Sequence, residues 1–151
     1  MTEWTQGEYT ISTARSRLNL ELIHSYLSTE SYWARGRTQA VVEKAIENSL
    51  CFGVYHFEQQ IGFARLVTDY ATYAYLADVF ILPVHQGDGL GKWLIQSILG
   101  APEVQTVNRW LLHTRDAHGL YAQFGFTPLA SPEMVMERQI TPPLLSNTAV
   151  S

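Results

Sequence analysis

The sequence predicts one mixed α/β (α+β) domain, a central β-sheet with flanking helices. Three observations lead there. A chain of 151 residues, 46% hydrophobic and 16% charged, has the size and composition of a single folded core. Two helical patterns come first, followed by a run of short β-rich segments. The last of these segments passes through a glycine-rich turn into another helix and a further strand, an order that suggests a parallel crossover.

Each element has its own signal. Residues 1–8 are polar and read as a loose start, and Tyr9–Ser12 alternates like a short strand. Asn19 can cap a helix carrying Leu20, Ile23 and Leu27 at helical spacing. Tyr32-Trp33-Ala34-Arg35-Gly36-Arg37 has no clear period and reads as a loop. Thr38 caps a second helix whose apolar face is Val41, Val42, Ala45 and Ile46. Leu50–Phe57 and Ile61–Thr68 form a hairpin around Glu58-Gln59-Gln60. Tyr75–Ile81 is almost continuously apolar, the pattern of a strand buried on both faces, with Asp78 its one ionisable residue. After the glycine turn, Leu90, Leu94, Ile95 and Ile98 mark a helix stopped by Gly100 and Pro102. Trp110–Thr114 is a strand, Asp116 caps a short helix closed by Gly125, and Val135–Arg138 is a last strand. The domain is expected over residues 1–140, with 141–151 a fraying tail.

Composition excludes several functions. No apolar run approaches the roughly 20 residues of a membrane span. The start, Met1-Thr2-Glu3-Trp4-Thr5, lacks the basic and apolar blocks of a secretory signal. Cys51 is the only cysteine, so no internal disulfide forms and a reducing cytoplasm is expected. Ten Lys+Arg against fourteen Asp+Glu give a net charge of -4 and no basic stripe, which disfavours nucleic acid. The five histidines, His24, His56, His85, His113 and His118, show no ligand spacing, so no metal is expected.

The informative segment is Gln86-Gly87-Asp88-Gly89-Leu90-Gly91-Lys92, after a buried strand and at the start of a helix. The first amides of a helix lack internal partners, and the helix dipole makes that end positive. Glycines let a phosphate approach the backbone closely, and Lys92 adds a full charge at the rim. A P-loop needs Gly where Gln86 stands and Ser or Thr where Trp93 stands, so that reading fails. A dinucleotide fingerprint fails because position 92 is Lys.

Gln86-x-x-Gly89-x-Gly91 instead resembles the Gln/Arg-x-x-Gly-x-Gly/Ala signature of the GNAT family of N-acetyltransferases. Asp78-Val79-Phe80-Ile81-Leu82-Pro83 is similar to the strand that precedes it in that family. Leu120-Tyr121-Ala122-Gln123-Phe124-Gly125-Phe126 is similar to the late Leu-Tyr-x-x-x-Gly-Phe element, and the resemblance runs from about Asn19 to Arg138. The Asn that many members carry before the tyrosine is missing from Arg115–Tyr121, so its contacts do not carry over.

The resemblance implies acetyl-CoA as co-substrate, with its pyrophosphate on residues 86–92 and its pantetheine arm along Val79, Phe80 and Ile81. It implies direct attack of a primary amine on the thioester, with no acyl-enzyme. Tyr121 matches the family's tyrosine and is the expected general acid. The base is open between Asp78, His113 and a water chain, with Asp69 a further carboxylate near the hairpin. Tyr32, Trp33, Arg35 and Arg37 lie in the region that lines the acceptor pocket, where aromatic rings can stack and guanidiniums can bind a carboxylate or phosphate. Arg65 can do the same or pair with an acid. The acceptor is an amine-bearing small molecule or peptide, and a homodimer through sheet edges is compatible with the fold. A non-catalytic acyl-CoA-binding module and a protein N-terminal or lysine acetyltransferase are the alternatives.

Overall fold

The computed structural model describes residues 1–140. Two compact units make up the chain, Met1–His113 and Thr114–Ser151. The first holds a six-stranded sheet in the order β1 (Glu3–Gln6), β2 (Tyr9–Ser12), β3 (Leu50–His56), β4 (Gln59–Thr68), β5 (Tyr73–Ile81) and β6 (Arg109–Leu112). Neighbours pair antiparallel except β5 and β6, which are parallel. The parallel pair is joined through α3 (Leu90–Leu99), as the crossover pattern predicts.

The caps act as the sequence suggests. Asn19 Oδ1 accepts from the Leu22 amide at 3.1 Å and starts α1 (Leu20–Ser25). Thr38 Oγ1 accepts from Val41 at 3.3 Å and starts α2 (Gln39–Glu47). Between the two helices runs a π-helical turn, Tyr26–Glu30, and then the loop. The apolar faces of both helices close over the sheet: Ile23, Leu27, Val42 and Ile46 cluster with Cys51, Phe63 and Phe80. Burying each large apolar side chain contributes roughly 1.5–3 kcal/mol. Tyr26 stacks on Phe80 with ring centroids 4.0 Å apart. Leu66 and Leu76, paired across β4 and β5 and both buried, point to the opposite face, since successive strand residues alternate.

The structure departs from the sequence reading in several places. Residues 3–6 are strand β1, held by the β1–β2 ladder around Gly7; polar composition hides a strand on a sheet edge. The β3–β4 turn is Phe57-Glu58, so Gln59 and Gln60 already belong to β4. Strand β5 is not buried on both faces: Tyr73, Tyr75, Ala77 and Val79 stay at least partly accessible. In the second unit, α4 (His118–Ala122) starts from Ala117 with no side-chain cap, and Thr114 Oγ1 rather than Asp116 holds the Ala117 amide, at 3.0 Å. Gly125, at φ 91, follows this helix. Pro132–Met134 is a 3-10 turn, and Val135–Arg138 is irregular chain rather than a strand. The expected tail, 141–151, lies outside the described residues.

Candidate active site

Strand β5 changes character halfway along. Its first four residues pair with β6, from Tyr73↔Arg109 to Leu76↔Leu112. Beyond Leu76 the strand continues to Ile81, still paired with β4, but its β6-side edge has no strand partner among the described residues. The break coincides with a bulge. Phe63 faces Phe80 while Arg65 faces Ala77, so β5 carries one more residue than β4 over this stretch. Asp78 takes it up in the left-handed region at φ 56, where a non-glycine residue is uncommon and costs strain. From Ala77 to Phe80 the strand has no strand partner on that side among the described residues, an edge that one more extended chain can pair with.

The glycine turn follows directly. Pro83–His85 makes a 3-10 turn, and Gln86 folds back so that its Nε2 donates to the Ile81 carbonyl at 2.8 Å. Gly87 at φ 94 and Gly89 at φ 78 take conformations that L side chains rarely adopt. Gly89 is the N-cap of α3, with no side-chain cap and no acid in the first turn. Among the described residues, the amides of Gly87, Asp88, Gly89, Leu90, Gly91 and Lys92 have no acceptor. A row of unsatisfied donors at the positive end of a ten-residue helix is a receptor for an anion. The turn's start is braced from the other side: Tyr9 OH and His85 Nδ1 are 3.1 Å apart, and His56 packs 5.3 Å from His85.

The predicted acceptor loop meets the predicted strand at Asp78. Its carboxylate, 2% exposed, takes Trp33 Nε1 on Oδ1 at 2.8 Å, and Arg37 Nη1 and Arg65 Nε on Oδ2 at 3.0 and 2.8 Å. Arg65 also donates to Ser49 Oγ at 3.2 Å. Four of the singled-out residues, 41 to 45 positions apart between loop and strand, thus form one partly buried network around a buried carboxylate. Tyr32 stands edge-on to Trp33, centroids 5.1 Å apart. Arg35 is exposed on the same loop.

The sequence and the fold find close parallels. The acetyltransferase (GNAT) domain model matches residues 47–128. A Gibberella zeae protein named as an acetyltransferase is 32% identical over 143 residues, 80% of this chain and 79% of that one. The chain belongs to the GNAT acetyltransferase family. Its enzyme class is therefore N-acetyltransferase. A crystal structure of a GNAT protein from Xanthomonas campestris pv. campestris matches with a TM-score of 0.85 at 46% identity, covering 87% of this chain and 93% of that one. A GNAT acetyltransferase from Elizabethkingia anophelis, solved with acetyl-CoA bound, shares the fold at a TM-score of 0.60 and 14% identity, over 81% of this chain and 78% of that one.

The remaining predicted residues of this GNAT chain fall in three places. His113 follows β6 at the point where it leaves β5, and its Nδ1 lies 2.8 Å from Tyr75 OH. Tyr121 belongs to the second unit, on α4, with its ring 5.9 Å from Phe126. Asp69 sits in the β4–β5 turn, where hydrogen bonds from the Thr72 hydroxyl and from the amides of Thr72, Ala71 and Tyr73 hold its carboxyl well below the usual range. Cys51 is buried, and desolvation pushes its thiol up to about 12 against the pull of Arg65 and Arg15; it stays a protonated core residue rather than a nucleophile. A cavity of about 330 Å³ lined by Arg15, Ser49, Cys51 and Glu103 among others contains none of the predicted site residues. Among the described residues no group of three or more His, Cys, Asp or Glu could hold a metal ion, and no helix is long and apolar enough to cross a membrane.

Sequence reasoning missed Tyr75, Ser49 and the Tyr9–His85 brace. Each owes its place to strand register, which no local pattern in the sequence carries. Tyr75 had one available signal, since alternation puts it on the same face as Ala77.

Proposed function

We propose that this GNAT enzyme moves the acetyl group of acetyl-CoA to a primary amine by direct attack within a ternary complex, with residues 1–140 acting as one catalytic domain in the cytoplasm. The observation that carries this reading is the coincidence of two hydrogen-bonding surfaces in sequence: the β5 edge from Ala77 to Phe80, without a strand partner among the described residues, and the donor row of Gly87–Lys92. A diphosphate satisfies the second, and an amide-containing arm satisfies the first. Acetyl-CoA contains both and supplies the thioester. The acetyl-CoA complex of the Elizabethkingia anophelis relative supports the same choice.

The chain's own groups divide the work. Amides on the open side of the end of β5, near Phe80 and Ile81, stabilise the oxyanion; the Leu82 amide is already given to the Ile61 carbonyl at 2.8 Å. The neutral amine forms its bond to the carbonyl carbon as the carbon–sulfur bond breaks, and two protons must move. Both oxygens of Asp78 are engaged by Trp33, Arg37 and Arg65, so we read Asp78 as the anchor of the acceptor loop. His113, aligned by Tyr75 at the parting of β5 and β6, takes the proton from the amine. Tyr121 gives one to the departing thiolate, a role resting on the family motif.

Calorimetry with CoA, followed by mass spectrometry of products from an amine panel, tests the reading. Binding and acetylation are expected; absence of CoA binding overturns it. Tyr121→Phe is expected to lower kcat about a hundredfold with CoA affinity unchanged. His113→Gln is expected to lower kcat with CoA affinity unchanged, and an unaltered kcat returns the base role to water.

A further inference from the structure

We propose that the acceptor carries a carboxylate beside its amine, and that the outer edge of Arg37 binds it. This rests on the acetyl-transfer reading above and specifies the acceptor class for the same site.

The argument starts from charge. Arg37 and Arg65 share one carboxylate, Asp78, with side chains 25%, 15% and 2% exposed respectively. Among the described residues, two guanidiniums against one carboxylate leave one positive charge without its own ion-pair partner, in a chain whose net charge is -4. Hydrogen bonding points the same way. A guanidinium has about five N–H donors, and Arg37 gives one of them to Asp78, its only side-chain acceptor among the described residues. The side chain as a whole is 25% exposed, and its remaining donors have no side-chain acceptor among the described residues. A partly desolvated cation with idle donors is stabilised by an anion from outside.

The shape selects a carboxylate. The free fork of a guanidinium matches two coplanar oxygens. Beside it stand Tyr32 and Trp33, 38% and 40% exposed. Trp33 is fixed by its indole bond to Asp78, so the wall is rigid and suits the apolar body of an acceptor. Asp78 adjoins Val79–Ile81, the edge assigned to the acetyl donor, which places the carboxylate site within a few bonds of the reacting amine. The excess positive charge also favours the neutral, nucleophilic form of that amine.

The test uses the full chain with acetyl-CoA and matched acceptors: amino acids, their amides and methyl esters, and aminoalkylphosphonates, compared at equal concentration of neutral amine. The acids are expected to show kcat/KM at least about tenfold higher than their amides and esters. Arg37→Gln is expected to erase that preference through KM, and Arg37→Lys to restore part of it. Calorimetric titration of acid against amide into the CoA-bound wild-type protein gives the same comparison without any variant. Equal use of acids, amides and esters overturns the inference, and so does a preference for phosphonates. If CoA itself does not bind, the acetyl-transfer reading has failed; if CoA binds and the carboxylate makes no difference, only this inference has.

Discussion

Two turns bracket β5, and they treat their backbone amides in opposite ways. In the turn before it, Asp69 bends over its own chain, and Oδ1 accepts from the amides of Ala71, Thr72 and Tyr73 at 2.9, 2.7 and 3.1 Å. In the turn after it, the amides of Gly87 to Gly91 have no acceptor among the described residues, and α3 has no side-chain cap and no acid in its first turn. The first turn carries its own anion and is complete. The second contains Asp88, which takes none of the turn's amides among the described residues, and in the proposed reading a ligand completes it. Unsatisfied donors are costly when buried, so the open turn stays on the surface, where Gln86 to Gly89 are exposed. A structural turn and a binding turn can therefore be told apart by asking where each amide finds its acceptor.

The largest effect expected from breaking this contrast is at Gly89. Gly89→Val forces a β-branched residue to φ 78, at a cost of about 1–3 kcal/mol, and sets a side chain over the donor row. The added Cβ meets nothing within 4 Å in the protein, so the fold survives and the loss falls on the ligand. CoA affinity measured by calorimetry is expected to fall about a hundredfold, by strain and exclusion together. An unchanged affinity would mean that these amides do not hold the diphosphate.

The converse change at Asp69 is expected to move stability and leave CoA affinity alone. Asp69→Ala strips the closed turn of its acceptor and lowers Tm. The pH dependence follows from the sign of the shift. The folded turn holds this carboxyl below its ordinary value, so its contribution is complete above the unfolded-state value of about 4 and fades as pH falls through the lower folded value. The Tm gap between wild type and Asp69→Ala is thus expected to be constant from neutral pH to about pH 5 and to shrink in stronger acid. A gap that widens in acid would contradict the hydrogen-bonded carboxylate.

The same contrast explains what could be read from the sequence. The open turn was legible because its chemistry is local: glycines, helix start and signature residues lie within seven positions, Gln86–Lys92. The hairpin, the caps at Asn19 and Thr38 and the crossover were legible for the same reason. The closed turn was legible only as a stretch between strands, with Asp69 noted as a candidate base, because an Asx-type bond shows itself in geometry. The Asp78 network lay further out of reach. Trp33, Arg37 and Arg65 each stood out by residue type, yet their convergence on one carboxylate depends on the β5 bulge, and one extra residue in a strand leaves no mark on hydrophobic pattern. Residues 3–6 were misread because an edge strand needs little apolar character.

The smallest of these effects separates the open turn's two parts, its donors and its pin. Gln86 stands first in the signature, yet its side-chain amide turns inward to the Ile81 carbonyl at 2.8 Å, tying the turn to the end of β5. The signature's tolerance for Gln or Arg then has a physical reason, since both side chains present an N–H to that carbonyl. A neutral hydrogen bond is worth about 1 kcal/mol net, so Gln86→Ala is expected to weaken CoA binding about fivefold by loosening the turn. Gln86→Arg keeps a donor and is expected to bind within about twofold of wild type. Gln86→Glu loses the donor and adds a negative charge beside the diphosphate site, so it is expected to bind more weakly than Gln86→Ala, with the difference shrinking as salt rises. If alanine and glutamate bind alike at low salt, no anion sits at this turn. If all three variants bind as wild type does, the pin to Ile81 has no part in holding the turn open.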